Sequence, residues 1–262
     1  LLGYVTEAGP EFFSKNPDYE QGDYIGSTGL EQSCEKFLRG EKGYNIFLRD
    51  ARNTIQSSYE DGEYDKPAIK GEDVTSTIDA HLQSYGEFLM QNKVGSVVAI
   101  EPSTGEILSM ISSPGIDVSI LGEINKHYDS ISKSPYKPMF NRSIMSPQPP
   151  GSVFKLVNAL IGLQENVVSI HTAYPCNEGF SAKGLTLGCH PHKSPINFKE
   201  SIMASCNAYY CYLFRNLLGN SKYKSTEEAY DAWYKYVQSF GFGTKLGSVF
   251  PSEKSGYVPT SK

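Results

Sequence analysis

The sequence has no run of eighteen consecutive apolar residues, so no segment of it is predicted to span a membrane. It has no excess of positive charge, and its net charge of −5 gives no indication of a nucleic-acid partner. Its five cysteines are an odd number, so a complete disulfide framework is not implied. It also lacks an initiator methionine and a signal peptide. We therefore expect a piece of a longer gene product, for which a missing anchor says nothing about location.

The composition is that of a folded protein. The sequence is 39% hydrophobic and 20% charged. Its length of 262 residues is enough for two domains or one large one. Residues 1–71 are polar and frequently interrupted by turn residues, and from Gly71 onward the pattern of residues changes to one typical of strands and helices. We expect a first segment over residues 1–71 and a second over residues 72–262.

Local patterns predict several elements. A short amphipathic helix is expected over residues 27–40, with Ser27 or Thr28 as its cap and Leu30, Cys34, Phe37 and Leu38 facing inward. The other predictions are strands at 44–52 and 73–79, a helix capped by Asp79, a hairpin at 95–113 and a loop of roughly forty residues that follows it.

The most informative stretch is "PPGSVFKLVNAL" at residues 149–160. Ser152 and Lys155 are three residues apart, so on a helix they share one face. A lysine in apolar surroundings loses its charge more readily than one in water, and as a neutral amine it could take the serine's proton. The alternative is that the prolines and the glycine end a loop and Ser152 is an ordinary helix N-cap.

Spacing alone does not decide between these two interpretations, because Ser-x-x-Lys also occurs at Ser33, Ser130, Ser134 and Ser221. Only Ser152 opens a helix that is apolar on nearly every side, which predicts that the helix is buried. Downstream, Ser205-Cys206-Asn207 adds a second hydroxyl and an amide in an apolar, helical stretch. The alternative is that these polar residues only pack between helices and have no catalytic role.

The two motifs together resemble the first and second active-site motifs of the penicillin-binding proteins, the serine D,D-transpeptidases that cross-link peptidoglycan. "STGLEQSCEKFLRGEKG" resembles the membrane-proximal pedestal of the class B enzymes. "DVTSTIDAHLQ", "GSVVAIEPSTGEILSMISSP" and "NRSIMSPQPPGSVFK" resemble the entry to their transpeptidase domain. Within class B, the "CHPH" region and the "FGFGTKLG" ending are most similar to the type 2, wall-elongation enzymes.

This resemblance implies an α/β fold of the α+β type, with a small pedestal before a transpeptidase domain whose helices pack on an antiparallel sheet. It implies that Ser152 is the acylated nucleophile, Lys155 its base, Ser205 a proton relay and Asn207 the amide that orients substrate. The oxyanion hole would include the backbone N–H of Ser152. No cofactor is required by this chemistry.

The resemblance also implies a third motif, Lys-(Ser/Thr)-Gly, on a strand beside the cleft. Lys254-Ser255-Gly256 has this composition but is flanked by Pro251 and Pro259, which favours a loop. The family's third motif also lies farther beyond the second. We therefore expect the true motif beyond Lys262, and the C-terminal part of the domain to be missing.

Cys176, Cys189, His190 and His192 raise the question of a metal, since thiolates and imidazoles are the ligands that zinc prefers. Their spacing matches no zinc signature, and a bent cysteine-bearing loop is the alternative.

The resemblance implies the stem pentapeptide of peptidoglycan and β-lactam antibiotics as ligands, and a membrane glycosyltransferase as partner. It places the protein on the periplasmic face of the bacterial inner membrane, anchored by an N-terminal helix outside these residues. A serine β-lactamase, a β-lactam sensor domain and a non-catalytic scaffold for wall assembly remain open as alternatives.

Overall fold

The computed structural model describes residues 1–182 and 184–261. The chain divides into two compact units, of which the first comprises Leu1–Ser146 and Ser248–Glu253 and the second Pro147–Gly247 and Lys254–Lys262. Among the described residues, no helix has both the length and the apolar content needed to cross a bilayer.

The first unit alternates short helices with antiparallel strand pairs. Its strands are β1 (Val5–Glu7), β2 (Tyr24–Gly26), β3 (Phe47–Arg49), β4 (Ile55–Ser58), β5 (Gly95–Ile100) and β6 (Ile107–Ser113). Its α-helices are α1 (Pro10–Lys15), α2 (Gly29–Ser33), α3 (Glu35–Leu38), α4 (Ala80–Leu89), α5 (Ile124–Ser132) and α6 (Arg142–Met145). Two 3-10 segments cover Tyr59–Gly62 and Val118–Glu123.

The hairpin predicted for residues 95–113 is confirmed. Strands β5 and β6 pair antiparallel from Gly95 opposite Ser113 to Ile100 opposite Ile107. Helix α4 also starts where predicted, because the Asp79 carboxylate accepts hydrogen bonds from the backbone N–H groups of His81 and Leu82.

Three local predictions were wrong. The helix expected over residues 27–40 is interrupted at Cys34, whose N–H bonds the Leu30 carbonyl to end α2 while its own carbonyl accepts from Phe37 and Leu38 to begin α3. Residues 73–79 form no strand. The segment expected to be a long loop contains α5 and α6, because Asn141 supplies an N-cap for α6 and residues 118–123 lead directly into α5.

The described residues of the second unit form four α-helices. These are α7 (Phe154–Gln164), α8 (Phe198–Met203), α9 (Asn207–Leu218) and α10 (Thr226–Ser239), with a 3-10 turn at Gly151–Val153 ahead of α7. Its strands are β7 (Ala173–Tyr174), β8 (Gly179–Ala182), β9 (Leu185–Gly188) and β10 (Ile196–Asn197). The pairs β8–β9 and β7–β10 are antiparallel.

Helix α9 is the centre of this unit, and Ala208, Tyr209 and Leu213 on it are fully buried. Helix α7 approaches α9 closely at Gly162, where an added Cβ would lie 3.0 Å from the Leu213 side chain. Helix α10 is held to α7 by the Trp233 indole N–H, which donates to the Asn158 side-chain oxygen at 2.9 Å. These contacts fix the helix that follows Ser152.

Candidate active site

The Pro-Pro-Gly turn at residues 149–151 sets the position of the Ser152 hydroxyl. Gly151 has a φ of +63°, in the left-handed region that glycine adopts without the steric cost of a Cβ. Ser152 follows within the 3-10 turn, and α7 begins two residues later. Ser152 is therefore exposed at the N-terminal end of a helix, one turn before Lys155.

Ser152 and Lys155 line one cavity of about 230 Å³. The other lining residues that the structure describes are Val153, Leu156, Ile202, Ser205 and Tyr210. The lining is mostly apolar with a few polar groups, as is usual in a binding or catalytic site. No carboxylate is among these described lining residues.

Lys155 joins the two sequence motifs through three hydrogen bonds. Its Nζ donates to the Ser205 carbonyl oxygen at 2.6 Å and to the Asn207 Oδ1 at 2.6 Å, and lies 2.9 Å from the Ser205 Oγ. The structure thus brings together three of the four predicted residues by direct contact. Ser152, the fourth, lines the same cavity as Lys155 and Ser205.

The orientation of the Asn207 amide is fixed by its second contact. Its Nδ2 donates to the Gly188 carbonyl at 2.8 Å, so the amide oxygen faces Lys155. The Ser205 carbonyl and the Asn207 Oδ1 can only accept hydrogen bonds. A neutral lysine amine has two N–H groups for these acceptors and one lone pair left for a hydroxyl proton.

The turn that carries Ser205 is strained. Helix α8 ends at Met203, Ser205 has a φ of +49°, and Cys206 is the N-cap of α9. A non-glycine residue in the left-handed region costs about 1 kcal/mol or more, and such residues cluster at functional sites. The two hydrogen bonds from Lys155 to Ser205 help to hold this conformation.

Desolvation by burial lowers the pKa of Lys155, and this effect outweighs the opposing influence of the nearby Cys189, Cys206 and Cys211 thiols. The Tyr210 ring, 5.9 Å from the lysine nitrogen, forms one apolar wall beside it. Tyr210 was not among the site residues predicted from the sequence. Its position three residues after Asn207 on a helix is the signal that could have identified it.

The prediction that α7 is buried on nearly every side was wrong. Ala159, Ile161 and Gly162 are buried against the rest of the second unit, but Val153, Leu156 and Leu160 are 69%, 50% and 55% exposed. The reason is that α9 and α10 lie against one side of the helix, and the described residues leave its opposite face uncovered.

Lys254-Ser255-Gly256 lies in a segment without regular secondary structure, and all three residues are exposed. Gly256 has a φ of +73°, which a strand does not contain. The loop expected from the flanking prolines is what the structure has.

The cysteine and histidine residues form a cluster that differs in one member from the sequence-based set. The Sγ atoms of Cys176, Cys189 and Cys206 and a ring nitrogen of His192 all lie within 4.8 Å of one another. His190 is exposed and is not part of this group. Cys206 is fully buried at the N-cap of α9, where its thiol lies beside the other two thiols. The four side chains together could hold a soft divalent metal ion.

Comparison with known families gives two matches along the chain. Residues 95–262 match the penicillin-binding protein transpeptidase domain, and residues 1–76 match the penicillin-binding protein dimerisation domain. The first match covers more than half of the chain.

Among curated proteins, the chain is 30% identical over 267 residues to the peptidoglycan D,D-transpeptidase MrdA of Acinetobacter baumannii, covering 99% of this chain and 38% of that protein. It is 24% identical to MrdA of Escherichia coli, again over 99% of this chain and 41% of the relative. The chain therefore spans about two fifths of the length of these relatives.

Solved structures confirm the predicted fold. The complex of penicillin-binding protein 2 with MreC from Helicobacter pylori has a TM-score of 0.79 at 22% identity, covering 99% of this chain and 47% of that one. A peptidoglycan synthase complex that coordinates polymerization and crosslinking has a TM-score of 0.78 at 25% identity, with 98% of this chain and 46% of that one covered.

Proposed function

Because this chain belongs to the penicillin-binding protein transpeptidase family, we propose that the protein is a peptidoglycan D,D-transpeptidase of the wall-elongation type and that Ser152 is its nucleophile. The observation that carries this proposal is the contact of Lys155 with both Ser205 and Asn207 beside the cavity that Ser152 lines. A serine, an amine of lowered pKa and a second hydroxyl in one apolar cavity are the groups that acyl transfer needs.

In the acylation step, the Ser152 oxygen attacks the carbonyl carbon of the penultimate D-alanine of a stem pentapeptide. The Lys155 amine takes the hydroxyl proton, and burial favours the neutral form of this amine by lowering its pKa. The bond from that carbonyl to the terminal D-alanine nitrogen breaks, and the nitrogen receives a proton by way of the Ser205 hydroxyl. D-alanine leaves, and the shortened stem remains as an ester on Ser152.

In the transfer step, the amine of a neighbouring stem attacks this ester and loses a proton to the same groups. The Ser152 oxygen is reprotonated and released, and a new peptide bond links the two stems. Asn207 has a fixed amide and orients the peptide group of the substrate while it holds Lys155. Attack by water instead of the amine would give carboxypeptidase activity at the same site.

The backbone N–H of Ser152 would be one donor of the oxyanion hole. It lies at the N-terminal end of α7, where the helix dipole favours a developing negative charge. The third family motif would provide the substrate-carboxylate contact, and Lys254 in its irregular segment is not assigned that role.

The proposed assembly follows the relatives. Residues 1–71 would form the pedestal and residues 72–262 the transpeptidase portion, on the periplasmic face of the inner membrane and anchored by an N-terminal helix. The ligands would be the stem pentapeptide and β-lactam antibiotics. A membrane glycosyltransferase is the proposed partner, because one structural relative is a complex that coordinates polymerization with crosslinking.

A serine β-lactamase would use the same first two motifs but also needs a carboxylate that activates the deacylating water. The described lining of the cavity contains no carboxylate. Residues 1–76 match a dimerisation domain, which a β-lactamase does not need for its reaction. Neither a sensor domain nor a non-catalytic scaffold has a specific observation in its favour.

Mass spectrometry after treatment with penicillin tests the assignment. The gene product that carries this chain should gain one penicilloyl group, and peptide mapping should place it on Ser152. Ser152→Ala should abolish the adduct, and Ser221→Ala, at another Ser-x-x-Lys pair, should leave it intact. An adduct on Ser33, Ser130, Ser134 or Ser221 would overturn the proposal.

A further inference from the structure

We infer that Tyr210 is a positioning residue for acylation, because its ring covers the Lys155 amine and keeps water from it, so that the amine meets the Ser152 hydroxyl instead. This inference rests on the proposed function and adds a fifth side chain to the four assigned there. Tyr210 lies on α9 three residues after Asn207, so the two side chains share one face of the helix. It lines the cavity that Ser152, Lys155 and Ser205 also line.

The distance from the amine to the ring leaves no room for a water molecule between them. The Lys155 nitrogen lies over the Tyr210 ring, 5.9 Å from its centroid. A water on that line would need about 2.9 Å to the nitrogen and about 3.5 Å to the ring carbons, which together exceed the space available. The ring therefore closes this side of the amine to solvent.

The hydrogen bonds of the amine leave the cavity as the direction from which a proton can come. Among the described residues, the Lys155 nitrogen bonds only to Ser205 and Asn207. The Tyr210 ring presents no donor or acceptor to the amine at this distance, so it does not compete for the lone pair of the neutral form. That lone pair is then available to the Ser152 hydroxyl in the same cavity.

The ring acts by excluding water rather than by binding the ammonium form. An aromatic face attracts a cation within about 6 Å of its centroid, so at 5.9 Å this attraction is at its limit. Desolvation is the largest cause of the lowered pKa of Lys155. The titratable groups that face the amine act in the opposite direction, and they are the thiols of Cys189, Cys206 and Cys211. Removal of water is therefore what favours the neutral amine.

Packing rather than a hydrogen bond holds the Tyr210 ring in place. The residue is 6% exposed and belongs to the core of the second unit, and its ring centroid lies 5.6 Å from that of Tyr209. Its hydroxyl is buried near that of Ser201, which partly offsets the rise that burial causes in the Tyr210 pKa. No described group meets this hydroxyl with hydrogen-bonding geometry. A phenylalanine would fill the same place, so the ring and the hydroxyl can be tested separately.

Two substitutions at residue 210 separate the ring from the hydroxyl. In the gene product that carries this chain, saturation kinetics with labelled penicillin gives the dissociation constant of the non-covalent complex and the rate constant of acylation. Tyr210→Leu removes the ring and should lower that rate constant about tenfold, with a dissociation constant within about twofold of the wild type. Tyr210→Phe keeps the ring and should have the wild-type rate constant, at a urea midpoint no lower than that of the wild type.

Tyr209→Leu is the matched control, because Tyr209 is a buried tyrosine of the same helix whose hydroxyl donates to the Thr172 carbonyl at 3.2 Å. Both leucine variants should lose stability to urea, but only Tyr210→Leu should lose acylation rate. Equal losses of rate in the two would make Tyr210 a packing residue and overturn the inference. If Tyr210→Leu does not fold, Tyr210→Met takes its place, because a flexible thioether fills irregular gaps. A wild-type rate constant in Tyr210→Met would overturn the inference as well.

The exclusion of water has its own measurement, which needs no acylation by penicillin. At an alkaline pH at which the amine is neutral and the proteins remain folded, the rate at which acetic anhydride labels Lys155 reports the exposure of the amine. Peptide mass spectrometry should show faster labelling in Tyr210→Leu than in the wild type, and wild-type labelling in Tyr210→Phe. Equal rates in all three would refute the shielding. Shielding of Lys155 without a penicilloyl group on Ser152 would refute the proposed function alone, and normal acylation by Tyr210→Leu would refute the positioning role alone.

Discussion

Lys155 donates a hydrogen bond of 2.6 Å to the side-chain oxygen of Asn207, fifty-two positions away in the sequence. This contact joins the start of α7 to the start of α9. The partly buried amine of Lys155 lies between two groups that can only accept hydrogen bonds, the Ser205 carbonyl oxygen and the Asn207 Oδ1. Both acceptors can be satisfied by a neutral amine, whose lone pair is then free for a hydroxyl proton.

The charge of residue 155 is tested by Lys155→Arg. A guanidinium remains protonated at any pH at which the protein is folded, so it cannot accept the proton of Ser152. We expect penicillin acylation to fall about 10²–10⁴-fold, with an unchanged circular dichroism spectrum. Lys224→Arg, in the exposed Ser221-x-x-Lys pair, is the control and should acylate normally. Near-normal acylation by Lys155→Arg would show that the proton goes to another group.

Asn207→Asp tests the electrostatic link. A carboxylate at the position of the amide oxygen favours the ammonium form of Lys155 and raises the pKa of the lysine. The acylation rate at neutral pH should therefore fall about tenfold or more, and its pH profile should move to higher pH. Asn166→Asp adds the same charge at an exposed position in the same unit and should do neither. A fall in rate without a shifted profile would mean that Asn207 acts only on the substrate.

The strain at Ser205 can be separated from its chemistry by two substitutions. Both Ser205→Ala and Ser205→Gly remove the hydroxyl, but only glycine relieves the backbone at a φ of +49°. We expect Ser205→Gly to be more stable to urea than Ser205→Ala by about 1 kcal/mol. Both should acylate slowly and to a similar extent. Equal stability of the two variants would show that the turn is not strained.

Glu165 gives the second unit a stability that depends on pH. Burial alone would raise its pKa, but hydrogen bonds from Lys222, Tyr236 and Tyr223 outweigh burial and hold the pKa below its ordinary value. A folded-state pKa that is lower than the unfolded one means that the stabilisation is complete above the unfolded pKa. It is then lost as the pH falls through the folded value.

Glu165→Gln should therefore lower the free energy of unfolding at neutral pH by about 1–3 kcal/mol and flatten its dependence on pH in the acid range. Glu227→Gln, at an exposed position in the first turn of α10, is the control. Denaturant unfolding at a series of pH values measures both effects. An undiminished acid dependence in Glu165→Gln would assign the stabilising carboxylate elsewhere.

The sequence predicted the parts of the fold that depend on neighbouring residues. Asp79 caps α4 and the 95–113 hairpin forms as expected, because cap chemistry and strand alternation are local. The break at Cys34 was not predicted, because the apolar pattern continues through it although the backbone hydrogen bonds do not. The exposed face of α7 was not predicted either, since it depends on which distant residues pack there. The active-site residues were identified through family motifs, and the contact of Lys155 with Asn207 could not be read from spacing. Cys206 was missed as a cluster member because its partners are fourteen or more positions away in the chain.

The last prediction concerns Lys254-Ser255-Gly256, which has the composition of the third family motif. The third motif must lie on a strand so that its backbone and side chains face the cleft together. Here the three residues are exposed in an irregular segment, and Gly256 has a φ of +73°. Lys254→Ala should therefore leave penicillin acylation of the gene product within about twofold of the wild type. A motif that supplied an oxyanion donor or the carboxylate contact would instead lose about 10²–10³-fold. Lys245→Ala, at another exposed lysine of the same unit, is the matched control. A selective loss in Lys254→Ala would make this segment the working third motif and would require it to rearrange into a strand when substrate binds.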